Sequence, residues 1–186
     1  MQGQLWIVAA PSGGGKTSLI AKAVRTLDNV VESVSHTTRA ARPGEVDGVH
    51  YYFVEPAQFQ AMIDADGFLE YAQVFHNAYG TAAASVDALL AAGKDVILSI
   101  DWQGAQQVMA RRPDTRSVFL LPPSLEALRE RLTARGQDNP DIVAQRMAEA
   151  EEQISHYRAF EFVIVNEDFQ RAAGELQALI LCDRLR

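Results

Sequence analysis

A single cysteine, Cys182, stands among the 186 residues, so the chain can form no intrachain disulfide. That suits a reducing cytoplasm and a fold held by its core alone. Cys182 lies in an apolar helical pattern near the C-terminus and is expected to fill core rather than to react. Long hydrophobic runs are missing as well, with nothing approaching the roughly 20 residues that span a bilayer. The first residues show no basic-then-apolar export pattern, and the protein is expected to remain cytoplasmic, away from membranes. Positive charge is scarce: 17 Lys and Arg face 24 Asp and Glu, for a net charge of −7. Polymeric nucleic acid demands a broad basic footprint, so it is not an expected partner. Any anionic ligand must be held by a local cluster of cations. The four histidines, His36, His50, His76 and His156, share no metal-ligand spacing on one helix, and no Ser–His–Asp arrangement follows from spacing. Repeats and low-complexity stretches are absent, and nothing sets an oligomeric state.

What is present is an ordinary core-forming composition, 48% hydrophobic and 22% charged, enough for one domain with small inserted lobes. Leu5 to Ala9, Val96 to Ile100, Val118 to Leu121 and Phe162 to Val165 are continuous apolar runs. Such runs fit strands covered on both faces, as in a parallel sheet. Helical patterns follow them: Thr17 to Leu27, Gln103 to Arg111, Leu125 to Arg135 with Ser124 as N-cap, and a last helix from about Asp168. This alternation predicts a doubly wound α/β core. Residues 34–89 read differently, with short strands over Val34 to Thr38, Tyr51 to Val54 and Phe68 to Phe75, and a helix near Pro56 to Ala65. They are expected to form an inserted lobe with its own small sheet. A second lobe is expected in the arginine-bearing stretch from Arg129 to Tyr157.

Directly after the first apolar run comes Ala10-Pro11-Ser12-Gly13-Gly14-Gly15-Lys16-Thr17-Ser18. Strand, glycine-rich turn, Lys-Thr and helix stand in the order of a phosphate-binding loop. The glycines let successive N–H groups turn inward toward phosphate oxygens, and the helix adds its positive end. Lys16 can reach the β- and γ-phosphates, and the Thr17 hydroxyl can ligate Mg²⁺. Two arginines, Arg39 and Arg42, sit three apart beside a proline turn, and a guanidinium fork suits a phosphate. Arg131 and Arg135 sit four apart on one helix face, with Arg146 on the next helical stretch. They form either a solvated face, with Arg135 paired to Asp138, or an anion-binding one.

The rest of the chain narrows the choice among phosphate-loop proteins. Ser33-Val34-Ser35-His36-Thr37-Thr38-Arg39, then Arg42-Pro43-Gly44-Glu45, Phe68-Leu69-Glu70-Tyr71-Ala72, Tyr79-Gly80-Thr81 and Ile100-Asp101-Trp102-Gln103-Gly104-Ala105 resemble the guanylate kinase family in order and spacing. Arg131 with Leu132 to Asp138, Ser155-His156-Tyr157 and Val165-Asn166 look like later landmarks of the same family. The resemblance runs through practically the whole chain. It implies a P-loop nucleoside monophosphate kinase fold: a core over about 1–33, 90–126 and 159–186, a GMP-binding lobe over about 34–89, and a helical lid over about 127–158. The implied reaction is Mg-dependent transfer of the ATP γ-phosphoryl group to GMP, and to dGMP, in purine nucleotide metabolism.

The resemblance also implies roles for individual residues. Glu70 would accept the N1–H and 2-amino donors of guanine, with Ser35 and Thr81 completing the base contacts. Adenine offers no such pair of donors and would leave a buried carboxylate unmatched. Arg39, Arg42, Tyr51 and Tyr79 would hold the GMP phosphate. Residues 10–18 with Arg131, Arg135 and Asn166 would hold ATP, Asp101 would face the crevice between the substrates, and Lys16, Arg39, Arg131, Arg135 and Arg146 would stabilise the migrating phosphoryl group. The acceptor is already an ionised oxygen, so no general base is expected. Four positions depart from the family: Ala10 replaces the usual first glycine of the loop, Ser99 stands where another carboxylate is common, and His76 and Ala78 replace glycine and tyrosine. Two further readings compete, a catalytically silent guanylate-kinase-like binding module and another small-molecule P-loop kinase. The intact loop argues against the first, and Glu70 with Ser35 against the second.

Overall fold

The first apolar run, Leu5–Ala9, forms strand β1, and the glycine turn after it leads into helix α1, Lys16–Thr26. The computed structural model describes residues 2–74, 76–134 and 140–186. Four more strands join β1: β2 (Val30–Glu32), β7 (Asp95–Ser99), β8 (Arg116–Leu121) and β9 (Phe162–Val165). Their order is β2-β7-β1-β8-β9, and every pairing is parallel. Parallel strands need crossovers, and helices supply them: α1 from β1 to β2, α3 (Ala83–Ala91) before β7, α4 (Trp102–Arg111) before β8, and α5 (Leu125–Ala134) with α6 (Pro140–Ser155) before β9, while α7 (Phe169–Asp183) follows the last strand.

Alternate residues of β1 feed opposite faces of the sheet. Trp6 and Val8 pack with Leu19, Ile20 and Ala23 of α1 and Leu176 and Ile180 of α7. Leu5, Ile7 and Ala9 pack with Val86 and Leu90 of α3 and Ala105 and Val108 of α4. Each fully buried Leu or Ile contributes roughly 1.5–3 kcal/mol, so the contacts of Leu19 and Ile20 hold the start of α1, and hence the loop before it, against the sheet. Ser124 and Asp168 cap their helices through Ala127 N and Arg171 N, 3.1 and 2.7 Å away.

A second, four-stranded sheet lies between β2 and α3 in sequence, in the order β4-β3-β6-β5. Its strands are β3 (His36–Thr37), β4 (Tyr52–Phe53), β5 (Phe68–Val74) and β6 (Asn77–Ala82), and helix α2 (Pro56–Asp64) covers it through Phe59 stacked on Phe68. The chain leaves the main sheet after Glu32 and enters this one at His36. A register shift between Phe68 and Glu70 makes a bulge in β5. The bulge breaks strict alternation, so Phe68, Leu69 and Glu70 are all buried, in three different surroundings. Helix α4 ties the two sheets together, because Gln107 both donates to and accepts from the backbone of Tyr71.

Four elements differ from the sequence expectation. Strands β2 and β6 and helix α3 are not among the expected elements, and the expected strand over Val34 to Thr38 shortens to His36–Thr37 because its first residues form the crossing between sheets. Cys182, expected in the core, is exposed. It lies two residues beyond buried Ile180, about 200° further round the helix. Helices α5 and α6 pack on each other through Leu128, Leu132, Val143, Met147 and Ala150. Among the described residues no helix is long and apolar enough to cross a membrane.

Candidate active site

The C-terminal ends of β1, β2 and β7 open onto one edge of the main sheet, the usual place for ligands in such sheets. There, residues 10–18, Asp101 and Gln153 line a cleft of about 380 Å³. Gly13 and Gly15 hold φ of 83° and 89°, the left-handed region that favours glycine. A side chain at Gly15 would also sit 2.4 Å from Asn166 Nδ2. Ala10, where a glycine is usual, is buried, with its methyl group 3.0 Å from where a Cβ on Gly14 would stand. Thr17 and Ser18 are exposed on the first turn of α1.

Lys16 donates from Nζ to the Ile100 carbonyl at 3.0 Å. Burial pulls its pKa down, and Asp101, Glu32 and Glu70 in that order pull it back up. This lysine is therefore held at the seam of the site by a backbone oxygen and the field of three carboxylates. Asp101 caps α4 by accepting from Gly104 N at 2.8 Å.

Asn166, buried, donates from Nδ2 to the Gly14 carbonyl at 2.9 Å, while its own carbonyl accepts from Arg131 at 2.8 Å. One residue thus fastens the phosphate loop to α5. The resemblance sets Asn166 beside the ATP base, and its side-chain amide donates to the loop backbone. Arg146 is half-buried on α6, and Arg135 lies outside the described residues. The end of α6 is fixed by His156, whose ring lies face to face with Trp102 at 3.6 Å between centroids and 9° between planes.

A neighbouring cleft of about 350 Å³ runs from Thr17 and Ser99 past Glu32 and Ser35 to Glu45 and Tyr51. On its far side Glu45 binds both arginine-loop elements: Oε1 accepts from the Arg39 guanidinium at 2.8 Å and Oε2 from Arg42 N at 2.7 Å. The Arg39 hydrogen bond is the main cause that brings the Glu45 carboxyl down to about 2. Arg39 also lies over the rings of Tyr51 and Phe53, at 5.5 and 5.8 Å. Tyr51 meets Tyr79 edge-on at 6.0 Å, and burial pushes the Tyr51 phenol up, keeping it a donor. Arg39, Tyr51 and Tyr79 are therefore brought together, and Arg42 presents an exposed side chain beside them.

Glu70 is 6% exposed, and Thr81, its cross-strand partner, donates to Oε1 at 2.6 Å. Burial is the largest influence on its carboxyl and pushes the pKa up. Gly104 permits this placement, since a Cβ there would come 3.0 Å from Glu70 Oε2. Thr37 and Thr38 both hydrogen-bond the backbone of Ala78, which fixes the strand carrying Tyr79. His76 is exposed. Glu32, Gln153, Gly104 and Glu45 were not singled out from sequence; the paired acceptor role of Glu45 had a signal in the Pro43-Gly44 turn that brings it back toward Arg42.

A slightly larger cleft, about 420 Å³, lies at the opposite end of the strands near Gln4, Asp95 and Arg116. Its charges are already matched, Arg184 with Asp95 and Arg116 with Asp183 at 2.8 Å each, so the chemistry belongs to the loop end.

Known proteins resemble this chain in sequence and fold. The family model described as guanylate kinase matches residues 2–182. A guanylate kinase of Alkalilimnicola ehrlichii is 54% identical over 186 residues, covering 100% of this chain and 92% of that protein. One of Saccharophagus degradans is 54% identical over 183 residues, covering 98% and 89%. The crystal structure of guanylate kinase from Anaplasma phagocytophilum superposes with a TM-score of 0.79 at 33% identity, covering 100% of this chain and 88% of that one. With the loop, the buried Glu70–Thr81 pair and the arginine–tyrosine cluster in one site, and a match along nearly its whole length, the chain belongs to the guanylate kinase family.

Proposed function

We propose that the chain transfers the γ-phosphoryl group of ATP to GMP, giving ADP and GDP, with ATP phosphates on residues 10–18 and GMP in the cleft beside Ser35, Tyr51 and Glu70. The buried Glu70 carboxyl, fixed by Thr81 on one oxygen, carries this reading. An acceptor of two adjacent N–H donors is what guanine recognition requires, and a base lacking them leaves the carboxylate unmatched. Arg39, with Arg42, Tyr51 and Tyr79, is the matching cluster for the acceptor phosphate. Glu45 keeps Arg39 in place, and phosphate binding adds a second anion to a guanidinium that has further N–H groups to offer.

Lys16 and Arg131 supply positive charge on the donor side, with Arg146 of α6 and, by the resemblance alone, Arg135 as further contributors. The donors around Thr17 are hydroxyl and carboxylate oxygens, hard ligands that fit Mg²⁺. Among the described residues no cluster of three His, Cys, Asp or Glu side chains could hold a metal alone. Thr17 would hold it, and when bound it neutralises phosphate charge. The attacking oxygen is ionised already, so the residues align and screen rather than remove a proton. Closure of α5 and α6 over the loop would exclude water and limit ATP hydrolysis. dGMP serves as a second acceptor, and the reaction is placed in the cytoplasm.

The test follows ADP release from Mg·ATP with GMP, dGMP, AMP, CMP and UMP offered separately. Rapid release with GMP and little with AMP is expected. Release with another monophosphate would keep the loop assignment and reject Glu70 as the base reader.

A further inference from the structure

Strand β2 brings one more carboxylate to the seam between the two clefts. Its register pairs Glu32 with Ile97 of β7, so Ser99, two residues on, projects from the same face of the sheet. That face is the one α1 covers: Trp6 and Val8, the β1 partners of Ile97 and Ser99, pack against Leu19 and Ile20. Glu32, Ser99 and Thr17 accordingly line one cleft. The field of Lys16 and the neighbouring Ser99 hydroxyl both favour the ionised Glu32 carboxyl. Burial outweighs both and pushes the Glu32 pKa up, although the residue as a whole reaches solvent.

The other carboxylate of this cleft, Glu45, is neutralised by Arg39. Glu32 shares the cleft wall with the Ser99 hydroxyl and has no direct ion pair among the described residues. An anion with no direct ion-pair partner, beside two phosphate sites, opposes the binding of both nucleotides unless a cation stands between. Thr17, on the same wall, is the residue assigned above to hold that cation.

We propose that Glu32, oriented by Ser99, is a positioning residue that lends negative charge to the outer water shell of the divalent cation at Thr17, and that a carboxylate at position 99 could replace it. The proposal rests on the phosphotransfer reading of this site. It makes nucleotide affinity depend on metal through a residue that touches neither nucleotide.

The test is calorimetric titration of the full chain with ADP, once in EDTA and once in excess Mg²⁺, and the readout is the ratio of the two Kd values. A unit charge about 6 Å from a dication in a near-aqueous dielectric corresponds to about tenfold in affinity. In Glu32→Gln the metal-induced tightening is expected to fall by about tenfold, while Kd in EDTA stays the same or improves. Adding Ser99→Asp to that variant should restore the tightening. An unchanged ratio, or a loss that Ser99→Asp does not restore, overturns the proposal. Retained ADP binding in EDTA shows that the variant is folded and the nucleotide site intact; if the unmodified chain bound no ADP in either buffer, the phosphotransfer reading itself would fall.

Discussion

Replacing Glu70 by glutamine separates what the residue does for the fold from what it does for the substrate. Burial raises the Glu70 pKa. A carboxyl raised in this way contributes stability below its unfolded value and loses it as pH rises through the folded one. At pH 7 the raised pKa therefore works against folding, and Thr81, at 2.6 Å, offsets only part of that. Glutamine keeps an oxygen for Thr81 and removes the buried charge. Glu70→Gln should accordingly leave Tm at pH 7 unchanged or higher, with any gain shrinking toward pH 4. Guanine is affected oppositely. The amide has one acceptor oxygen where the carboxylate has two, and its NH₂ group meets a donor. Losing one charged hydrogen bond and leaving one base N–H unmatched costs about 3 kcal/mol, on the order of 10²-fold in kcat/KM for GMP. The assay pairs steady-state kinetics, with GMP varied at saturating Mg·ATP, with thermal melts at pH 7 and pH 4. A kcat/KM within threefold of the parent, or a fall of several degrees in Tm at pH 7, would refute the reasoning.

Lys16→Ala should reduce turnover by orders of magnitude with the fold intact, as read by ADP release and circular dichroism; near-normal turnover would remove the loop from the mechanism. Asn166→Ala should strip the Gly14 carbonyl of its 2.9 Å partner, cost about 1–3 kcal/mol and lower Tm by several degrees, and a melt superimposable on the parent would count against that anchor. The Glu45 carboxyl, lowered chiefly by Arg39 to about 2, should support the Arg39 loop above the ordinary value of 4.5 and give way only as pH falls through about 2; a carboxyl-carbon NMR titration with a midpoint above 4 would contradict this.

The legibility of the sequence varied with the length of the signal. Strand β1 and its loop were plain, because an apolar run, three glycines and Lys-Thr follow one another without interruption. Strand β2 was not: three residues, Val30–Glu32, are too few to show a period, and the pairing with β7 that defines them lies more than 60 positions away. Strand β6 carries Asn, Gly and Thr and is fixed by its partners β3 and β5 rather than by propensity. Helix α3 hid in an alanine-rich stretch where only Val86 and Leu90 are buried. In the site, motif residues named the chemistry but not the contacts. Glu70 was legible as an acid in a motif, while its burial depends on the β5 bulge and on the bare backbone of Gly104. Asn166 shows the same limit, for its bond to Gly14 spans 152 positions.

The Trp102–His156 stack gives the protein a built-in optical reporter. The chain has two tryptophans, and Trp6, 1% exposed under α1 and α7, sits in the core and lines neither cleft of the site. Trp102 instead has its indole face against an imidazole on the last turn before the chain returns from α6 to the sheet. Any swing of α6 relative to α4 parts or re-seats the two rings and changes the emission of that one indole. Stopped-flow fluorescence on the unmodified protein can therefore time the movement of the helical pair separately from phosphoryl transfer, with His156→Ala as the control that silences the signal.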